Sequence, residues 1–189
     1  NVGPLIRPTT RAEAQSADRV RYPLPPQLGS HNDQQSVWMS QGAEGSTVGW
    51  GGNLGDLAMS ANRNAAFTCI APTGNAVFLS GDSAQQYQVS TQGAVPVLPV
   101  AQGLRGLYSP NASRLLRELM TEARTHVLEN EYNRVAKRSI DSEGLLTSAL
   151  AGVTVNTSFP AGNSLADQLK IVARTIGART ALGNKRQVF

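Results

Sequence analysis

Residues 66–100 read AFTCIAPTGNAVFLSGDSAQQYQVSTQGAVPVLPV, and this stretch decides the fold class. Short apolar or alternating runs at 66–70, 76–79, 87–89 and 95–100 predict strands. The turn cluster Pro72-Thr73-Gly74-Asn75 predicts a hairpin between the first two. Ser80-Gly81-Asp82 marks a further turn. Helical periodicity brackets the region on both sides. Before it, Trp50 to Ala61 places Leu54, Leu57, Ala58 and Ala61 at helical spacing. After it, Ser109 and Pro110 signal a helix start. Leu115, Leu116, Leu119, Met120, Ala123, Val127 and Leu128 then form an apolar stripe that extends to about residue 138. Further helices are predicted from Asp141 to Leu150 and from Asn163 or Ser164 to Gly177 or Gly183. The expected class is therefore α/β, with short strands at about 66–100 and a helix-rich C-terminal half.

Working outward, residues 6–29 predict an irregular segment. Pro8, Pro23, Pro25 and Pro26 break helices and central strands. One short helix fits between Arg11 and Arg19, capped by Thr10. The chain opens on Asn1-Val2-Gly3-Pro4-Leu5, which reads as the exit of a strand into a turn. It closes on Arg186-Gln187-Val188-Phe189, which reads as the entry of a strand. The expectation is a single partial domain over residues 1–189, an interior segment of a larger α/β domain.

Composition narrows the class. Hydrophobic residues make up 40% of the 189, which excludes a disordered tail. Charged residues make up 16%, against the roughly 25% usual in globular domains, and Ser, Thr, Asn, Gln and Gly fill the surface instead. The net charge of +4 is scattered along the chain, and Arg114 to Arg138 alternate with Glu118, Glu122, Glu129 and Glu131. Mixed signs at helical spacing describe a solvated face, so no nucleic-acid partner is expected. No run is long and apolar enough for a membrane span. Cys69 is the one cysteine, which excludes an internal disulfide and a cysteine zinc site. It sits in an apolar run and reads as a buried structural thiol.

The segment richest in chemistry is Ser30-His31-Asn32-Asp33-Gln34-Gln35, followed by Trp38. Ser30 is a candidate N-cap with Asp33 spaced like a capping-box acid. A hydroxyl at a helix N-terminus, where free N–H groups favour an anion, also suits a nucleophile on a phosphoryl or sulfuryl centre. The candidate catalytic residues are Ser30 and His31, and the candidate ligand contacts are Asn32, Asp33, Gln34 and Trp38. The structural alternative is that Ser30 and Asp33 only cap the helix. His126 reads as a solvated mid-helix residue. Gly49-Trp50-Gly51-Gly52-Asn53-Leu54-Gly55 has Leu54 where a dinucleotide loop needs glycine, and no lysine follows as a P-loop requires. It reads as a turn with close helix packing.

These residues resemble a known family. Asn1-Val2-Gly3-Pro4-Leu5, Arg7-Pro8-Thr9-Thr10, Pro23-Leu24-Pro25-Pro26-Gln27-Leu28, Ser30 to Gln35, Gly49-Trp50-Gly51-Gly52, and the ending Leu182-Gly183, Lys185 to Phe189 look like the middle of the bacterial domain-of-unknown-function family 1501. The resemblance implies an alkaline-phosphatase- and sulfatase-like fold, incomplete here. It implies twin-arginine export and a periplasmic or secreted location. It also implies a divalent metal in the full-length parent, bound by flanking Asp and His residues, with no metal ligands in this chain. The function it implies is that of an exported protein resembling metal-dependent phosphate or sulfate ester hydrolases. The alternative is a non-catalytic cell-envelope accessory protein with an envelope partner.

Overall fold

The structure is a computed structural model that describes residues 7–25, 27–42, 45–74, 77–102 and 111–189. The fold is mixed α/β, with a small sheet and many helices. The chain divides into two compact units. The first is Asn1–Tyr87 with Arg186–Phe189, and the second is Gln88–Lys185.

In the first unit, α1 (Arg11–Gln15) starts where the sequence places a cap. The Thr10 side chain accepts from Glu13 N–H, and Glu13 answers by accepting the Thr10 N–H at 2.8 Å. This reciprocal box satisfies two donors that a helix start leaves open. The helix is shorter than the segment from Arg11 to Arg19 because Ser16 is already extended. α2 (His31–Ser40) follows its Ser30 cap, and α3 (Trp50–Met59) follows Gly49.

β1 is Cys69–Ala71, preceded by a 3-10 turn at Ala65–Phe67. The expected strand at 66–70 is thus half turn and half strand. The expected strand at 76–79 is a 3-10 turn over Val77–Leu79. Its partner role in a hairpin with β1 is not realised, and Asn75 and Ala76 lie outside the described residues. Cys69, Ala71, Leu79 and Ala84 form the buried cluster of this unit, with Met59, Phe78 and Val188 packed on it. Cys69 is fully buried, and burial pushes its thiol pKa up, with the Asp56 charge adding to the effect. It behaves as a structural thiol.

Val188 returns from far along the chain to lie parallel beside Cys69. Ile70 N–H donates to Val188 O at 2.9 Å, and Val188 N–H donates to Thr68 O at 2.8 Å. Asn62 locks the return. Its Nδ2 donates to Arg186 O (2.8 Å) and to Thr68 Oγ1 (2.9 Å), and its Oδ1 accepts Arg186 N–H (3.0 Å).

β2 (Gln86–Ser90) and β3 (Gly93–Ala94) make a hairpin among the described residues, antiparallel with Val89 opposite Ala94 and Ser90 opposite Gly93. The strand order is β1-β2-β3. Gly93 has φ +128, which a side chain would resist, so the turn needs glycine there.

In the second unit, the expected strand at 95–100 is instead α4 (Leu98–Gln102). The helix start expected at Ser109 and Pro110 lies outside the described residues. α5 (Ala112–Thr121) and α6 (Val127–Ala151) replace the single long helix expected to about residue 138. His126 is therefore the N-cap position of α6 rather than mid-helix. The break is made from a distance. Asn133 Nδ2 reaches back to Leu119 O (3.1 Å) and Glu122 O (2.7 Å), and Asn130 Oδ1 accepts Arg124 N–H (3.0 Å). The two Asn133 bonds satisfy carbonyls at the end of α5, and the Asn130 bond satisfies the Arg124 N–H.

α6 absorbs the separate helix expected from Asp141 to Leu150. α7 (Ser164–Gly177) starts at Asn163, whose side chain accepts Ala166 N–H, and α8 (Arg179–Leu182) ends on Gly183 with φ 75. Leu146, Ile171 and Leu182 are the most deeply buried large side chains of this unit.

Candidate functional site

Every candidate residue lies on or before α2, in the first unit. Ser30 is extended and half-buried, and its Oγ accepts Asp33 N–H at 3.3 Å. That is the N-cap bond the spacing predicts. His31 and Asn32 are exposed beside it, and Asp33 turns inward, 3% exposed. His31 and Asp33 lie about 200° apart around the helix, so Ser30, His31 and Asp33 do not converge on one point. Among the described residues Ser30 and His31 share no hydrogen bond.

Gln34 reaches back rather than outward, its Nε2 donating to Gln27 O at 3.4 Å. Trp38 is about half exposed and sits two turns on. Its carbonyl accepts the indole N–H of Trp50 at 3.0 Å, and the Trp50 ring meets Phe78 edge-on with centroids 4.4 Å apart. Trp38 thus ties α2 to α3 through its backbone.

A denser constellation, absent from the candidates, surrounds Asp56 on α3. Its carboxylate accepts three consecutive backbone N–H groups: Asp82 at 2.8 Å, Ser83 at 3.0 Å and Ala84 at 2.6 Å. These bonds, that of Ala84 foremost, hold the Asp56 carboxyl below its ordinary value against the opposing effect of burial. Successive N–H groups of this kind form an anion-binding nest. Here an internal carboxylate fills it, so the arrangement closes a loop rather than opening a site. The sequence signal was present: a turn at Ser80-Gly81-Asp82 needs an acceptor, and Asp56 is an acid among glycines on a neighbouring helix.

The glycines of α3 explain how Asp56 gets so close. A side chain at Gly52 would collide with the Ser80 backbone carbonyl, one at Gly49 with the Val77 carbonyl, and one at Gly55 with Cys69 Sγ. The helix packs backbone against loop, as the reading of Gly49 to Gly55 anticipated, and no phosphate cradle is needed to account for it.

The family resemblance implies a divalent metal in the full-length parent and none of its ligands in this chain. Among the described residues no group of three or more His, Cys, Asp or Glu could hold one. His31 and Asp33 are two candidates that point apart. No described helix is long and apolar enough to cross a membrane. No family model, curated protein or solved structure matches the chain.

Proposed function

We propose that this chain supplies an anion-facing helix start to a larger, exported, metal-dependent phosphate or sulfate ester hydrolase of the alkaline phosphatase and sulfatase type. On this reading, which rests on the resemblance to family 1501, the metal ligands and the rest of the sheet would be supplied by other parts of the parent. A twin-arginine signal on the parent would deliver it to the periplasm.

One observation carries the reading. Ser30 heads the ten-residue α2, with exposed His31 and Asn32 beside its hydroxyl. Such a helix start offers free N–H groups and a favourable dipole to an oxyanion. The parallel pairing of Val188 with β1 also suits the mostly parallel sheet of that superfamily.

The second reading is an envelope accessory protein that keeps the fold without the chemistry. The Ser30 hydroxyl favours it, because that group is already engaged as a cap.

Inorganic phosphate and sulfate titrated into the labelled chain, followed through its amide resonances, separate the two. The hydrolase reading expects the amides of residues 31–33 to shift. Ser30→Asp keeps a capping oxygen but adds a repelling charge, and it should abolish the shift. An unmodified chain whose α2 amides ignore both anions would leave only the accessory reading.

A further inference from the structure

α6 carries one stripe along its whole length. At 3.6 residues per turn, Leu128, Tyr132, Val135 and Ser139 lie on the same side as Ser142, Leu146, Ala149 and Leu150. The later group is buried, where β3, α7 and α8 pack on the helix. The earlier group is not covered. Leu128 is 74% exposed, Tyr132 66% and Val135 43%. α5 cannot cover it, because α5 holds the opposite side through Asn133 and through Arg117, which binds Asp141 at 3.1 Å. Exposed apolar side chains are ordinary when scattered. Three in a row that continue a core-facing stripe mark a contact surface.

The flank of this stripe decides what fits. Glu131 and Arg138 lie on the same edge, two turns apart, with Arg134 bound to Glu131 at 2.8 Å. We propose that a second copy of this chain covers the stripe, α6 lying antiparallel on α6 about a two-fold axis near Val135. That axis places Val135 against Val135 of the second copy. It brings Glu131 opposite Arg138 of the second copy, and the symmetry makes the pair twice. In a parallel pair about a two-fold axis this edge would instead face the opposite edge of the second copy, so the Glu131–Arg138 pairing belongs to the antiparallel arrangement. Three large side chains and two exposed ion pairs cover less than the roughly 800 Å² per partner of a standard interface. The association is therefore weak and concentration-dependent.

Sedimentation equilibrium on the 189-residue chain tests the proposal, with the average mass rising toward that of a dimer from micromolar to millimolar concentration. Val135→Cys should form a disulfide-linked dimer under mild oxidation. Ser148→Cys, exposed on the same helix but off the stripe, should not. Glu131→Arg should weaken the dimer, and adding Arg138→Glu should restore it. A mass that stays monomeric throughout overturns the proposal, and a different natural occupant of the stripe would give that result. Equal crosslinking at 135 and 148 overturns it as well.

Discussion

α3 and α6 both bury one face, and they do so by opposite means. α3 brings backbone to backbone by having no side chains at Gly49 and Gly52, and Gly55 leaves room for the Cys69 side chain. α6 is held by side chains, with Asn133 across its start and Leu146 and Leu150 in the core. The first contact tolerates no added atom and the second depends on atoms already there. A glycine is thus a packing residue in one helix and a weak point in the other.

The sharpest way to break this contrast is to add the same methyl group to each. Gly52→Ala meets the Ser80 carbonyl, a backbone atom that cannot swing away. It should cost about 3 kcal/mol or more, read as a loss of denaturant midpoint. Gly144→Ala meets nothing within 4 Å in the middle of α6 and should stabilise by about 0.5–1 kcal/mol. Equal effects of the two substitutions would refute the contrast.

Next in size is the carboxylate that α3 presents. Asp56→Asn keeps the shape and loses the charge that three N–H groups share, so it should cost about 1.5–3 kcal/mol. The same group sets an acid limb. Its folded pKa lies below the ordinary value, so its contribution is fully present above the unfolded pKa of about 3.9. That contribution is lost as pH falls through the folded value. The stability difference between wild type and Asp56→Asn should therefore shrink as pH falls below about 4. A difference independent of pH would assign the loss to shape instead of charge.

Smallest is the matching test in the second unit. Asn133→Ala removes two bonds to open carbonyls at the end of α5 and should cost about 1–2 kcal/mol. Amide exchange should rise first at Leu119 to Arg124. Faster exchange throughout α5 and α6 alike would mean that Asn133 supports the whole pair of helices rather than the turn.

These helices also show what can be read from a sequence. The close packing of Gly49 to Gly55, the Thr10 and Ser30 caps and the start of α7 near Asn163 follow from local residue chemistry, and they are found. The runs at 76–79 and 95–100 mislead because short apolar stretches have no length over which period 2 and period 3.6 differ. Pro99 falls in the first turn of α4, where a missing N–H does no harm, so the proline there did not exclude a helix. The break before α6 was illegible because its cause, Asn133, lies more than two turns downstream. Of the candidate site, the Ser30 cap was legible. The inward turn of Asp33 was not, because burial is decided by what other elements bring to that face.

The Asn62 clamp has a consequence for the order of events during folding. It joins residues 124 apart in sequence. Closing a loop of that length costs about 4 kcal/mol of chain entropy before any bond repays it. The α1–α3 region can assemble as soon as it is made, whereas the strand at Val188 must wait until α4 through α8 have been synthesised. During that interval the outer edge of β1 has no partner there, and an unpaired edge is where chains join each other by mistake. The interval, more than the finished structure, is when this molecule is most exposed to aggregation.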